Sequence, residues 1–115
     1  MSLEQKINNL ETDLHIMGTL VLDSLVSAVR ALEDKDTAKA TEVMDKDDEI
    51  DDAYMKIDQD WFELMATEQP VASDLRLSTS ILQASLHLER LGDLSVYLGK
   101  TTHEIHDLPL SLIHI

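Results

Sequence analysis

LHIMGTLVLDSLVSAVRAL, residues 14–32, carries the spacing that decides the fold. Leu14, Met17, Val21, Leu25, Ala28 and Leu32 recur at steps of three and four, and Leu10 extends the series toward the N-terminus. That period matches the 3.6-residue turn of an α-helix with one apolar stripe; a strand would alternate every second residue. The spacing predicts an amphipathic helix over residues 3–32.

The same period returns twice. After EDKDT (33–37), where Asp36 or Thr37 can cap a new helix, a second stripe runs Ala40, Val43, Ile50, Tyr54, Ile57, Trp61 and Leu64. It ends at EQP (68–70), because the residue before a proline is pushed out of the right-handed helical region, which stops the helix at Gln69. Pro70 suits the first turn of a third helix, and Asp74 adds a carboxylate near its positive end. The third stripe reads Leu77, Ile81, Ala84, Leu88, Leu91, Ser95 and Leu98, running toward Ile105. Short corners make sequential helices antiparallel, so the expected fold is all-α: an up-down-up three-helix bundle over residues 1–108. Trp61 and Met65 are expected in its core. DLPLSLIHI (107–115) breaks the pattern at Pro109, and residues 109–115 are expected to be an irregular tail, either packed on the bundle or foreign to the domain.

Composition agrees. The 115 residues suit one domain, and AVILMFWYC make up 43% of them, enough for a core without staples. Aromatics are only 3%, with three glycines and two prolines, which favours few long helices over sheet and turns. No cysteine is present, so disulfides and thiolate metal sites are excluded and a reducing cytoplasm is permitted. No signal-peptide pattern and no apolar run of about 20 residues is expected, so the chain reads as soluble. The formal charge of −14 excludes a nucleic-acid backbone as partner and favours metal cations or a basic protein surface.

DKDDEIDD (45–52) places six carboxylates in eight residues. Read as the middle of the second helix, it gains nothing from the helix dipole, and Asp47/Asp51 and Asp48/Asp52 are like-charge i,i+4 pairs. A solvated charged face is the plain reading of this run. Asp47 differs, because it falls on the apolar stripe between Val43 and Ile50 and there needs a cation, a donor or water. HLERLGD (87–93) repeats the theme. Glu89 and Asp93 project from one side of the third helix, flanking its core stripe, and either share a cation or leave one of them to a plain ion pair with Arg90. Gly92 costs the helix about 1 kcal/mol relative to alanine but lets another backbone or a ligand approach. Oxygen-only ligands suit magnesium, calcium, manganese or iron. The histidines (His15, His87, His103, His106, His114) form no Glu-x-x-His pair, and HEIHD (103–107) has the wrong spacing for a zincin. Nothing marks a phosphate loop or an activated nucleophile, so the chain reads as no enzyme.

QPVASDLRL (69–77) followed by HLERLGDLSVYL (87–98) resembles the PhoU family of phosphate-uptake regulators. The family pattern, Q-P-x-A-x-D-L-R and then E-R-x-G-D, is matched at Gln69, Pro70, Ala72, Asp74, Leu75, Arg76, Glu89, Arg90, Gly92 and Asp93. LHIMG (14–18) and DDEID (47–51) resemble its first and second helices, so the likeness covers about residues 3–107. The resemblance implies a cytoplasmic, non-enzymatic regulator that restrains phosphate import and phosphate-starvation signalling. Its implied partners are the ATP-binding subunit of a phosphate ABC transporter and a sensor histidine kinase, and any membrane contact is through them. It also implies a metal ion, with iron, manganese, magnesium and zinc all open, on Glu89/Asp93 and Asp47/Asp51, with Asp48 in a competing register. The family has two three-helix repeats and this sequence has one, so the chain is expected to be half of a longer protein or to pair with itself as a homodimer. Two other functions stay open: a metal-independent module for a basic partner, and a carboxylate-bridged metalloenzyme.

Overall fold

The computed structural model describes residues 1–108; the expected tail at 109–115 and His114 lie outside the described residues. Four helical segments follow one another: α1 (Leu3–Asp34), α2 (Thr37–Asp45), α3 (Asp47–Glu68) and α4 (Ala72–Ile105). Among the described residues there is no strand. Only Lys46 separates α2 from α3, and its own φ of −83° and ψ of −5° are right-handed helical, so the segments form three rods. The Lys46 amide still donates to the Glu42 carbonyl at 3.1 Å, and the Glu49 amide donates to the Lys46 carbonyl at 3.1 Å. The turn has tightened to three-residue spacing rather than unwound.

That break corrects the expectation of an uninterrupted second helix. Asp47, Asp48 and Glu49 occupy the first turn of α3, where the positive end of the dipole favours carboxylates. Other ends follow local chemistry. Ser2 and Gln5 form a reciprocal capping box at the start of α1. Asp36 caps α2 by accepting from the Lys39 amide at 3.0 Å. Lys35 and Gln69 close their helices in the left-handed region, at φ 53° and 46°. Pro70 lies before α4 rather than in its first turn, since the helix begins at Ala72 behind Val71.

The rods are tied in reversed order, early residues to late ones. Lys6 pairs with Glu68 at 2.6 Å and Lys56 with Asp13 at 2.7 Å. Thr41 and His103 share a hydrogen bond of 2.9 Å. The core joins Ile7, Leu10, Met17 and Val21 of α1 to Ile50, Ile57 and Leu64 of α3 and Ile81 of α4. Each large buried side chain contributes roughly 1.5–3 kcal/mol of transfer free energy. Met65 packs against this core, and Trp61 is half-buried with its Nε1 unpartnered.

α4 departs most from expectation. Its buried residues are Ser78, Ile81, Ser85, Gly92, Ser95, Gly99 and Thr102. Of the anticipated stripe, Ile81 and Ser95 are buried, Ala84, Leu88 and Leu98 are half-buried, and Leu77 and Leu91 are exposed. Small residues recur every seven positions, at 78, 85, 92 and 99. Each buried hydroxyl donates to a carbonyl one turn back in its own helix, as in Ser85 to Leu82 at 2.6 Å and Thr102 to Leu98 at 2.9 Å. The polar atoms are therefore satisfied without a partner across the interface.

α1 also corrects the hydropathy expectation, because by length and composition it is apolar enough to cross a membrane. Met17, Val21, Ala28 and Ala31 bury one of its faces against the other helices.

Candidate functional site

The acidic residues come together where α4 rests on the start of α3. Gly92 is buried there, and a Cβ on it would lie 3.1 Å from Ile50 Cγ2 and 3.7 Å from Asp47 Oδ1. The expected neighbour of Gly92 is a backbone or a ligand; what lies there is a pair of side chains on α3, Ile50 and Asp47. Ile50 and Asp47 are both set by the break at Lys46, which starts α3 and aims its first turn at α4.

Asp47 is half-buried, and its Oδ1 is buried with no hydrogen-bond partner among the described residues. Burial raises its pKa, and Asp51, Asp93, Asp48 and Glu89 raise it further by repulsion. Burial likewise raises Asp51, followed by Asp93, Asp48 and Asp52, while contact with Asp47 pulls the other way. Asp47, Asp51, Glu89 and Asp93 thus form one electrostatic group across the α3–α4 seam. Asp51 and Glu89 are half-buried; Asp93 is exposed at the rim. Asp48 and Asp52 are exposed, turned further toward solvent than Asp47 and Asp51. Arg90 is exposed and makes no ion pair among the described residues, so the simple neutralisation anticipated for Glu89 or Asp93 is not made.

As the side chains stand, no three His, Asp or Glu residues among the described ones converge to enclose an ion. The donor set nevertheless fits a hard cation. It is all oxygen, it is anionic, and it includes a buried oxygen with no donor to balance it. The histidines are engaged elsewhere or exposed: His103 meets Thr41, His106 meets Asp107, and His15 and His87 face solvent.

Two features of this seam escape a search for apolar stripes. The break at Lys46 has no glycine or proline to announce it. The close seating of α4 was announced by the seven-residue recurrence of Ser78, Ser85, Gly92 and Gly99, small residues that an apolar count passes over.

Residues 14–102, containing this seam, match the PhoU domain. The chain is similar to the phosphate-specific transport system accessory protein PhoU of Serratia marcescens, 33% identical over 112 residues, 93% of this chain and 46% of that protein. It is 39% identical to the PhoU homolog of Pseudomonas aeruginosa over 88 residues, 76% of this chain and 36% of that one. With PhoU homolog 1 of Thermotoga maritima the identity is 35% over 97 residues, 84% and 42% of the two chains. The chain spans less than half the length of these relatives. It belongs to the PhoU family.

Proposed function

We propose that this chain is a non-enzymatic adaptor that restrains phosphate uptake and phosphate-starvation signalling. The observation that carries this is the PhoU domain match over residues 14–102, together with relatives named as accessory proteins of the phosphate-specific transport system. The reversed ties Lys6–Glu68, Asp13–Lys56 and Thr41–His103 support an up-down-up arrangement of the three rods. The adaptor works in the cytoplasm as a homodimer. It meets the ATP-binding subunit of a phosphate ABC transporter and a sensor histidine kinase.

A metal ion belongs to this reading. Asp47, Asp51, Glu89 and Asp93 would hold it, with Asp48 at the solvent edge, and the ion would supply the positive charge this seam lacks. The chain's own residues place the oxygens: α3 starts at the Lys46 break and Gly92 keeps α4 close. Relief of repulsion across the seam would tie α3 to α4 and stiffen the face offered to partners.

Deleting the gene should switch on a phosphate-starvation reporter in phosphate-rich medium, and a reporter that stays silent sinks the regulatory assignment. The metal claim has its own test. Elemental analysis should find the protein's metal content lost in the Glu89→Gln/Asp93→Asn double variant; unchanged content refutes the ligand set.

A further inference from the structure

The molecule carries a second uncovered surface, unrelated to the acidic seam. Leu22, Val26 and Val29 of α1 are 61, 40 and 43% exposed, and Leu91 and Leu94 of α4 are 41 and 45% exposed. These are not scattered. Leu25 and Leu32 follow the core positions Val21 and Ala28 by four residues, while Leu91 and Leu98 precede the core positions Gly92 and Gly99 by one. On parallel neighbouring helices those are the flanking positions that meet just outside the core. Leu22, Val29 and Leu94 continue outward from them on the same side. The two C-terminal halves share one end of the rods, because the Lys35 side chain after α1 reaches the Leu108 carbonyl after α4. One apolar strip therefore runs along the outside of the α1–α4 seam.

We propose that this strip is where a second copy of the chain docks, which rests on the homodimer reading above and names its face. Charge supports this choice. At −14 per chain, two copies repel, so they can meet only where carboxylates are sparse. Residues 14–32 hold one carboxylate, Asp23, against six in residues 45–52. Size supports it too. A compact 12.9 kDa chain exposes roughly 6,300 Å², whereas this one exposes 7323 Å² and extends over 58 × 23 × 17 Å. The excess, about 1,000 Å², is of the order of the area each partner buries in a standard interface.

The test uses the full chain. Light scattering during gel filtration should give a dimer at about 50 μM. The Leu22→Lys/Leu94→Lys variant should raise the dissociation constant at least about 100-fold with unchanged helical circular dichroism, and Phe62→Lys should not. Phe62 is the natural control because it is 70% exposed on α3. Since the chain has no cysteine, Leu22→Cys and Leu94→Cys report directly: their labelling by a maleimide should slow as protein concentration rises, and that of Phe62→Cys should not. A monomer at every concentration overturns the homodimer itself. A dimer that survives the double lysine variant overturns only the face assigned to it. Co-sedimentation with phosphatidylglycerol vesicles, abolished by the same lysines, would assign the strip to a lipid surface and overturn the proposal.

Discussion

α1 and α4 are the two longest helices and are built on opposite plans. α1 buries large side chains along its core stripe, with Leu10, Met17 and Val21 inside, and leaves Ile16, Leu22, Val26 and Val29 exposed. α4 turns inward serines, glycines and a threonine, and leaves Leu75, Leu77, Leu91 and Leu94 exposed. Water exclusion from large apolar side chains therefore seats α1. Close backbone approach seats α4, because helices separated only by glycine and serine can come nearer and exchange many dispersion contacts. The two helices therefore differ in what they bury, large side chains in α1 and small ones in α4, while both keep apolar residues on their outer sides.

The sharpest test on the α1 side is Met17→Ala. Met17 is 0% exposed, so truncation should cost about 2–5 kcal/mol in urea unfolding. A cost below about 1 kcal/mol would mean that α1 is not the core helix this comparison requires. On the α4 side the expected effect is smaller, and comes from addition. A Cβ at Gly99 would lie 2.9 Å from Met44 Cγ and 3.2 Å from the Ala40 carbonyl oxygen, which is backbone and cannot rotate away. Gly99→Ala should cost about 1–3 kcal/mol despite the better helix former. Gly92→Ala should cost less than Gly99→Ala, since its tightest contact is a side-chain atom, Ile50 Cγ2 at 3.1 Å, rather than backbone, and alanine returns about 1 kcal/mol of helix propensity. Equal effects at the two glycines would break the claim that α4 rests on the α2 backbone.

The same contrast explains what the sequence disclosed. The α1 stripe was legible because large apolar residues were selected for burial, and burial leaves a 3.6-residue trace in hydropathy. The corners were legible through Asp36 and through Pro70 acting on Gln69. The α4 stripe was misread because hydropathy ranks Ser85 and Gly99 below Leu77 and Leu91, whereas close packing ranks them by size. In the candidate site, Asp47 stood out as a charge on an apolar stripe, and Gly92 as a glycine inside a helix. The break at Lys46 was not legible, because its torsion angles are helical and no residue type forbids them from continuing into α3.

The acidic seam gives a pH-dependent prediction. The pKa values of Asp47 and Asp51 are raised in the fold by burial and by their carboxylate neighbours. Between the ordinary value near 4 and the raised ones, the folded chain binds more protons than the unfolded chain, so stability falls as pH rises through that window. Above it the full penalty persists. Asp47→Asn should therefore raise the unfolding midpoint at neutral pH, and the gain over wild type should shrink as pH falls toward 4. A manganese or iron(II) salt should stabilise the wild type at neutral pH and Asp47→Asn less, by the ordinary linkage of ligand binding to folding. A gain that grows with acidification would mean Asp47 is paired in the fold after all.

The smallest effect is expected at Leu94, where it is also the most discriminating. In dilute monomer Leu94→Ala should change stability by less than about 0.5 kcal/mol, because a side chain 45% exposed gives up little contact with its own chain. At concentrations where copies associate, the same truncation should lower the unfolding midpoint, since a partner that binds only the folded state stabilises it by mass action. Met17→Ala should lower stability equally at both concentrations. If Leu94→Ala behaves like Met17→Ala, then α4 holds the bundle together by its leucines as α1 does, and the small-residue spine is only filling space. If it is silent when dilute and costly when concentrated, the leucines of α4 act between molecules while its glycines and serines act within one.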